Sequence, residues 1–423
     1  ITTGKGEGQM AKTEHSKKSS RRKSDYSNIF NPLDLRPSQE INLLIKREMG
    51  SSDGPGTSDE AKKRKYDHPY SSSSTQSQRT GEPVRDEEDH LLLNNGDVLG
   101  NRFTVQSLMG SGTFGRVYRC ADAKHNDIVA VKVIRRVSRY IKSAKTEASI
   151  LKRLYKAQED QAWKPAVTMF THIYHEGHYC MAFEPLGKSL LDYIEANRYR
   201  GFPKNVVKQI AYQLLHALDF MHRLGLVHTD LKLENILFVP GDDRVVPWTI
   251  KNDSSSGSTS SKIPSRDKDD SVFCILAPMR PVIKLIDFGF CCCSSPDVRL
   301  KIFCGTPSYM CPEIVMKREY IGPPTDIWAS GILLYAMLCG AFPFRGQTDK
   351  DLYKKIARGQ FTYPDHISPQ AKQFLNQMIN VSPSQRSSAH KLLADPWLSQ
   401  VKSLAPQGSD QFLSTKESSG LTK

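Results

Sequence analysis

Apolar residues are sparse and unpatterned up to about residue 95, then alternate in short runs, then fall into long helical stripes. The first stretch is rich in Ser, Lys, Arg, Asp and Gly, includes the patch Ser71–Ser74, and holds too few aromatic residues for a core. It reads as a disordered leader. Within it, Ile41, Leu44 and Ile45 of Pro37–Met49 sit at helical spacing, as a docking helix or a transient amphipathic turn would require. From Asn101 the alternation predicts strands at Phe103–Leu108, Arg116–Ala121 and Ile128–Ile134, the first two flanking a glycine turn.

Ser143–Leu154 then reads as a helix, and Val206–Leu224 as a long buried one with Ile210, Leu214, Leu218 and Met221 on its stripe. Thr325–Cys339 is apolar almost all round, the mark of a helix at the centre of a domain. Pro240–Pro281 is polar and Ser/Asp/Lys-rich. A structureless loop of that length inside a domain is uncommon, so it reads as a surface insertion. Beyond about Gln400 the pattern fades into a loose tail.

Length allows a two-lobed core of about 250–300 residues with flanking segments. The net charge of +14 favours acidic partners, and since acid and base nearly balance over residues 1–90, the excess lies in the later, patterned part. No nucleic-acid-binding motif accompanies it, so direct nucleic-acid binding is not expected. Nine cysteines without paired Cys-x-x-Cys spacing argue against zinc and a disulfide framework and fit a reducing compartment. No apolar run of about eighteen residues is present, so no membrane span is expected. The chain opens on Ile1 without a signal-peptide core, and a fragment is one reading of that start. Lys62-Lys-Arg-Lys65, like the basic run Lys17–Lys23, reads as a nuclear import address or as a solvated charge run.

The candidate chemistry is concentrated in three places. Gly110-Ser-Gly112-Thr-Phe-Gly115-Arg-Val117 leaves backbone amides uncovered for phosphates, with Phe114 at the tip as a cap against water. It lies between strands and is followed by Ala130-Val-Lys132, whereas the dinucleotide version of such a loop opens a helix. Lys132 is a candidate clamp on α and β phosphates, and Glu147 on the next helix is the anion to aim it. His228-Thr-Asp230-Leu-Lys232-Leu-Glu234-Asn235 supplies an aspartate to take a hydroxyl proton, a lysine to neutralise a phosphate and an amide for a metal ion. Asp287 of Ile286-Asp-Phe-Gly289 is the second metal-ligand candidate. Cys291–Cys293 invites a redox reading, but nothing nearby obviously lowers a thiol pKa, and small residues in a mobile segment are the plainer one.

In this order, glycine loop, lysine, His-Thr-Asp loop and Asp-Phe-Gly, the chain over about residues 99–398 resembles the protein-kinase signature set. The resemblance implies an α+β bilobal protein-kinase fold, with a small, mainly β N-lobe carrying one main helix and a larger, mainly α C-lobe. It implies a leader over 1–98, a kinase domain over 99–398 with its insertion at about 240–281, and a tail over 399–423. ATP and Mg²⁺ are the implied cofactors. Gly110, Gly112, Gly115, Val117, Ala130, Lys132, Glu147, Glu184, Leu186 and Leu237 are the implied nucleotide site, Asp230, Lys232 and Lys132 the catalytic groups, and Asn235 and Asp287 the metal ligands. Lys232 marks the serine/threonine class, and Glu234 is a candidate contact for a basic residue near the phosphosite. By the same resemblance Thr306 bonds the catalytic loop, Glu313 pairs with Arg386, and Asp326 pins the catalytic-loop backbone. A protein substrate is implied by Gly305-Thr-Pro-Ser-Tyr to Cys311-Pro-Glu313, which suits a chain laid across it. A scaffold pseudokinase would usually have lost the lysine, an aspartate or a metal ligand, and none is lost here.

Val129-Ala-Val-Lys-Val-Ile-Arg-Arg-Val-Ser-Arg-Tyr140, Phe183-Glu-Pro-Leu-Gly-Lys-Ser-Leu190 and Gln209-Ile-Ala-Tyr-Gln-Leu-Leu215 with His228-Thr-Asp-Leu-Lys232 resemble the LAMMER kinases. That likeness implies dual specificity, splicing-factor substrates with Arg-rich sites, a nuclear location, and Phe183 as gatekeeper beside the hinge residues Glu184 and Leu186. A monomer, and a cytoplasmic location alongside the nuclear one, are separate expectations. Leu233 departs from the group's usual proline, and the Glu-His-Leu-Ala-Met-Met-Glu-Arg signature is absent from the sequence. Cys304-Gly-Thr-Pro-Ser-Tyr309, Asp326-Ile-Trp-Ala-Ser-Gly331 and Gly340-Ala-Phe-Pro-Phe344 are instead similar to the calmodulin-dependent and AMP-activated-kinase-like group. Thr229 stands where kinases activated by loop phosphorylation carry Arg, which implies activity without that phosphate.

Overall fold

The structure, a computed structural model, describes residues 85–86, 89–158, 163–240, 281–295 and 298–404. The chain divides into two units, 1–35 and 36–423, and all described residues lie in the second. Pro37–Met49, both basic clusters and nearly all of the 240–281 insertion fall outside the described residues.

Six antiparallel strands form the N-lobe: β1 (Val98–Leu99), β2 (Phe103–Gly112), β3 (Gly115–Asp122), β4 (Asp127–Ile134), β5 (Met169–His175) and β6 (His178–Phe183), in the order β1-β2-β3-β4-β6-β5. Strand periodicity sorts β4 onto two faces. Val129, Val131 and Val133 pack with Phe103, Val105, Tyr118 and Cys120 on one side. Ala130 and Ile134 join the larger core on the other, together with helix α1 (Ser138–Ala157). Lys132 shares the parity of Ala130 and Ile134, so its side chain leaves the sheet toward α1. That helix starts five residues before the expected Ser143. Its N-cap is Val137, with no side-chain cap bond, and Ser138 is its first residue rather than its cap.

The C-lobe is built on α2 (Leu190–Ala196), α3 (Lys204–Arg223), α4 (Pro312–Val315), α5 (Pro323–Cys339), α6 (Asp349–Arg358), α7 (Pro369–Asn376) and α8 (Ala389–Leu393). Every residue of α5 from Thr325 to Leu338 is buried, as its unbroken apolar run requires. Four short strands then place the chemistry. β7 (Leu226–Val227) pairs with β10 (Cys292–Cys293), and β8 (Ile236–Phe238) with β9 (Ile283–Leu285), both antiparallel. The segment 228–235 links β7 to β8 and 286–291 links β9 to β10, so the two pairings force these linkers side by side. Cys291–Cys293 is therefore packed, with Cys291 and Cys292 buried, rather than a mobile segment. Among the described residues no helix is long and apolar enough to cross a membrane.

Packed residues continue beyond the 99–398 span on both sides. His90 and Leu91 are buried against the sheet, ahead of the boundary at 98/99. At the other end the 3₁₀ segment Pro396–Leu404 buries Trp397, Leu398 and Val401, with Trp397 stacked on Phe374 at 4.6 Å.

Candidate active site

The β2–β3 hairpin turns through Gly112 and Gly115, which are cross-strand partners. A Cβ on Gly115 would collide with the Val133 carbonyl oxygen, so this glycine lets β3 lie close to β4. At Gly110 and Gly112 an added Cβ meets nothing within 4 Å, so the protein's own packing does not demand glycine there. That open room fits a phosphate cradle. Phe114 folds edge-on against Tyr140 of α1 at 5.3 Å and Phe290 at 5.7 Å.

Sheet register aligns the nucleotide-side residues. Val117 sits opposite Lys132, Ala130 opposite Phe183, and Leu237 lies in β8 opposite Lys284. Leu186 is buried just past β6. The Glu184 side chain accepts the Thr168 N–H at 2.7 Å and is ion-paired to Lys284, a buried cation. Sequence reasoning did not pick out Lys284. Its signal was a lone charge inside the apolar run Val282-Ile-Lys-Leu-Ile286, which only a buried anion makes tolerable.

Lys132 Nζ lies 3.0 Å from Glu147 Oε2 and 3.3 Å from Asp287 Oδ1. Burial works against the ammonium, but the two carboxylates more than offset it and hold the Lys132 pKa above the ordinary lysine value. Burial likewise opposes ionisation of Asp287, yet Lys132, His228 and Lys232 outweigh it and keep the carboxyl below its usual range. Asp287 adopts left-handed backbone angles, φ 61° and ψ 72°, and Phe288 behind it is buried against the His228 ring at 5.1 Å.

The 228–235 loop is held from below. Asp326, on α5 and 1 % exposed, accepts the N–H groups of His228 and Thr229 at 2.9 Å each and the His222 ring at 3.0 Å. His228 Nε2 donates to Ile286 O at 3.1 Å and Ile286 N–H to Asn235 O at 3.0 Å, tying the loop to the Asp287 segment. Asn235 spends its amide N–H on the Asp230 carbonyl at 3.0 Å, which leaves its amide oxygen as the atom suited to a cation. Lys232 Nζ is 2.7 Å from Asp230 Oδ2, while Thr306 donates to Asp230 Oδ1 through its N–H at 3.1 Å and its hydroxyl at 3.0 Å. Tyr309 OH accepts the Leu233 N–H at 3.2 Å, a contact not foreseen. Glu313 and Arg386 meet in two bonds of 2.7 Å. One oxygen of Glu234, Oε2, is buried without a hydrogen-bond partner.

Among the described residues no cluster of three or more His, Cys, Asp or Glu could hold a metal by itself. One carboxylate and one amide, Asp287 and Asn235, suit Mg²⁺, which typically completes its shell with phosphate oxygens and water. The donor set and the open room at the glycine turn therefore fit Mg-ATP.

Residues 103–398 match the family model described as the protein kinase domain. This chain belongs to that family. The kinase domain is 32 % identical over 282 residues to the serine/threonine-protein kinase AFC1 of Arabidopsis thaliana, covering 67 % of this chain and 57 % of AFC1. It is 32 % identical over 292 residues to AFC3 of the same plant, covering 68 % of each, and 31 % identical over 290 residues to the human dual specificity protein kinase CLK1, covering 68 % and 55 %. The chain thus spans little more than half the length of AFC1 and CLK1. A crystal structure of a kinase domain aligns with a TM-score of 0.59 at 27 % identity, covering 74 % of this chain and all of that one. AFC and CLK kinases are the LAMMER side of the split resemblance. They lend no support to the likeness of the second half to calmodulin-dependent and AMP-activated kinases.

Proposed function

We propose that the chain is a LAMMER-like serine/threonine protein kinase that uses Mg-ATP to phosphorylate protein segments with basic residues near the phosphosite. The observation that carries this reading is Lys132, bonded at once to Glu147 on α1 and to Asp287 beyond β9. Asp287 stands 155 residues from Lys132 in the sequence, and together the three groups set one cation between two anions where a phosphate chain would lie over the glycine turn. Bound Mg-ATP supplies the transferable phosphoryl group and the metal charge that offsets it.

The chain's own groups do the rest. Lys132 would hold phosphate oxygens, and Asp287 with the Asn235 amide oxygen would hold the metal. Backbone groups of Glu184 and Leu186 would receive adenine, with Val117, Ala130 and Leu237 as apolar neighbours. Asp230 orients the incoming hydroxyl and takes its proton, and Lys232 neutralises charge on the transferring group. The Glu234 carboxylate is the group that favours a substrate Arg or Lys. Dual specificity, shown for CLK1 by its name, is proposed here as tyrosine autophosphorylation. A nuclear location is proposed from the basic clusters; unchanged localisation of a chain with Lys62–Lys65 neutralised would argue against that address.

The deciding experiment is radiolabelled phosphate transfer from Mg-ATP to a degenerate peptide library, with Asp287→Asn as control. Transfer to Ser/Thr peptides with upstream Arg, absent in the control, is expected. Nucleotide binding without transfer above the control would replace the enzyme reading with a binding scaffold.

A further inference from the structure

The glycine turn is gripped from outside by residues that precede the sheet. Arg85 is bridged antiparallel to Leu91, and Asp89 N–H is bonded to Asp86 O at 3.0 Å, which makes a fold-back of the described residues here. The fold-back is seated on the N-lobe at two points. Tyr118 OH donates to Leu91 O at 2.9 Å, and Arg85 Nε donates to His178 Nε2 at 3.4 Å. His178 is fully buried and its Nδ1 lies 2.8 Å from Ile134 O, which fixes the proton on Nδ1 and leaves Nε2 to accept.

From that seat the His90 ring, 4 % exposed, spans two groups. Nδ1 lies 3.1 Å from Asp86 Oδ2, and Nε2 lies 3.2 Å from Gly112 O, where a carbonyl can only accept. The same Asp86 oxygen takes Arg116 Nη2 at 2.8 Å. Gly112 and Arg116 flank the tip of the glycine turn on either side. Arg135 holds the next two carbonyls, Thr113 O from its Nη1 at 3.1 Å and Phe114 O from its N–H at 3.0 Å.

A planar trans peptide points its carbonyl and the following N–H in opposite directions. With Gly112 O turned to His90 and Thr113 O turned to Arg135, the N–H groups of Thr113 and Phe114 are turned the other way. Glycine-rich turns lose the most backbone entropy on ordering, so fixing these peptides beforehand lowers the cost of closing on a ligand. We propose that His90, with Asp86 and Arg116, is a positioning residue that presets the glycine turn for nucleotide phosphates. It makes residues ahead of the sheet part of the nucleotide site, and it rests on the kinase reading above.

The test uses the full chain and measures KM for ATP, kcat, the affinity of a non-hydrolysable ATP analogue and Tm for His90→Ala, His90→Gln and Asp86→Asn. One lost hydrogen bond corresponds to about a three- to tenfold change, so His90→Ala should raise KM and weaken the analogue by that factor while kcat moves less. His90→Gln, which can still reach Gly112 O with an N–H, should recover most of the loss, and Asp86→Asn should shift KM in the same direction as His90→Ala. A fall in Tm for His90→Ala with KM and analogue affinity at wild-type values would make the fold-back a structural element only and overturn the proposal. If the wild type itself neither bound nucleotide nor transferred phosphate, the kinase reading would fall, and this inference with it.

Discussion

Thr229 donates its hydroxyl to the Phe290 carbonyl at 2.8 Å, from a backbone held at φ +67°. A β-branched residue is strained there, and Asp326 sustains it by accepting the Thr229 N–H. The side chain is thus turned to the Asp-Phe-Gly segment and locks it from within. A phosphate-binding Arg at this position would do so from outside, through the activation segment. Lys132 and Glu147 are joined, and Thr306 is bonded to Asp230.

The expected outcome is full activity without activation-segment phosphorylation. Phosphatase-treated protein should keep its rate of peptide phosphorylation within about twofold, a difference of well under 1 kcal/mol in barrier. Loss of nearly all activity, restored by rephosphorylation of residues 291–313, would contradict it.

Lys132→Met should lower kcat by about a hundredfold or more, since it removes a preorganised cation from the site where phosphate charge must be stabilised. Glu147→Gln leaves the lysine in place but unaimed, so it should do less damage to kcat. Steady-state rates with saturating ATP check both. Equal losses would mean that Glu147 does more than orient the lysine.

Glu313 and Arg386 carry a stability prediction. Arg386 also donates to Asn380 O at 2.8 Å and Pro324 O at 2.9 Å, and it lies 5.0 Å from the Trp328 ring centroid. Glu313→Ala therefore leaves a buried guanidinium without its anion, at a cost of about 3–5 kcal/mol. For a domain of this size that corresponds to a Tm fall of roughly 10 °C. A thermal scan decides; a change of a degree or two would show that water or a neighbour replaces the carboxylate.

The candidate site was readable where motif order and the kinase resemblance named its residues: Lys132 with Glu147 on the next helix, Asp326 on the catalytic-loop backbone, and Glu313 with Arg386, pairs that the structure brings together. What escaped has tertiary causes. Val137 gives α1 no side-chain cap, so its first turn is invisible in sequence. β10 is two residues long and exists through its pairing with β7. His90 and Leu91 sit in a polar stretch that looks disordered, and their order depends on Tyr118, His178 and Gly112 far along the chain. Val401, three residues past the expected end of the domain, did carry a readable apolar spacing with Trp397 and Leu398.

The thiols give the last prediction, which concerns alkaline pH. Cys292, Cys304 and Cys311 surround the buried Tyr320 hydroxyl, and burial pushes each thiol up: Cys304 to about 11, Cys292 and Cys311 well above the usual value. Such thiols are poor nucleophiles at neutral pH, so a redox role for Cys291–Cys293 is not favoured, and iodoacetamide should modify these residues quickly only after unfolding. A thiol whose folded pKa is raised stabilises the fold fully below its unfolded value of about 8.5. As pH rises past that point the unfolded chain ionises first, and stability falls until Cys304 itself ionises near pH 11. Tm should therefore drop between pH 7.5 and 9.5. Cys304→Ala should show a shallower drop over that range, because it removes one of the groups whose ionisation favours the unfolded chain. An alkaline slope unchanged by Cys304→Ala would place the titration elsewhere.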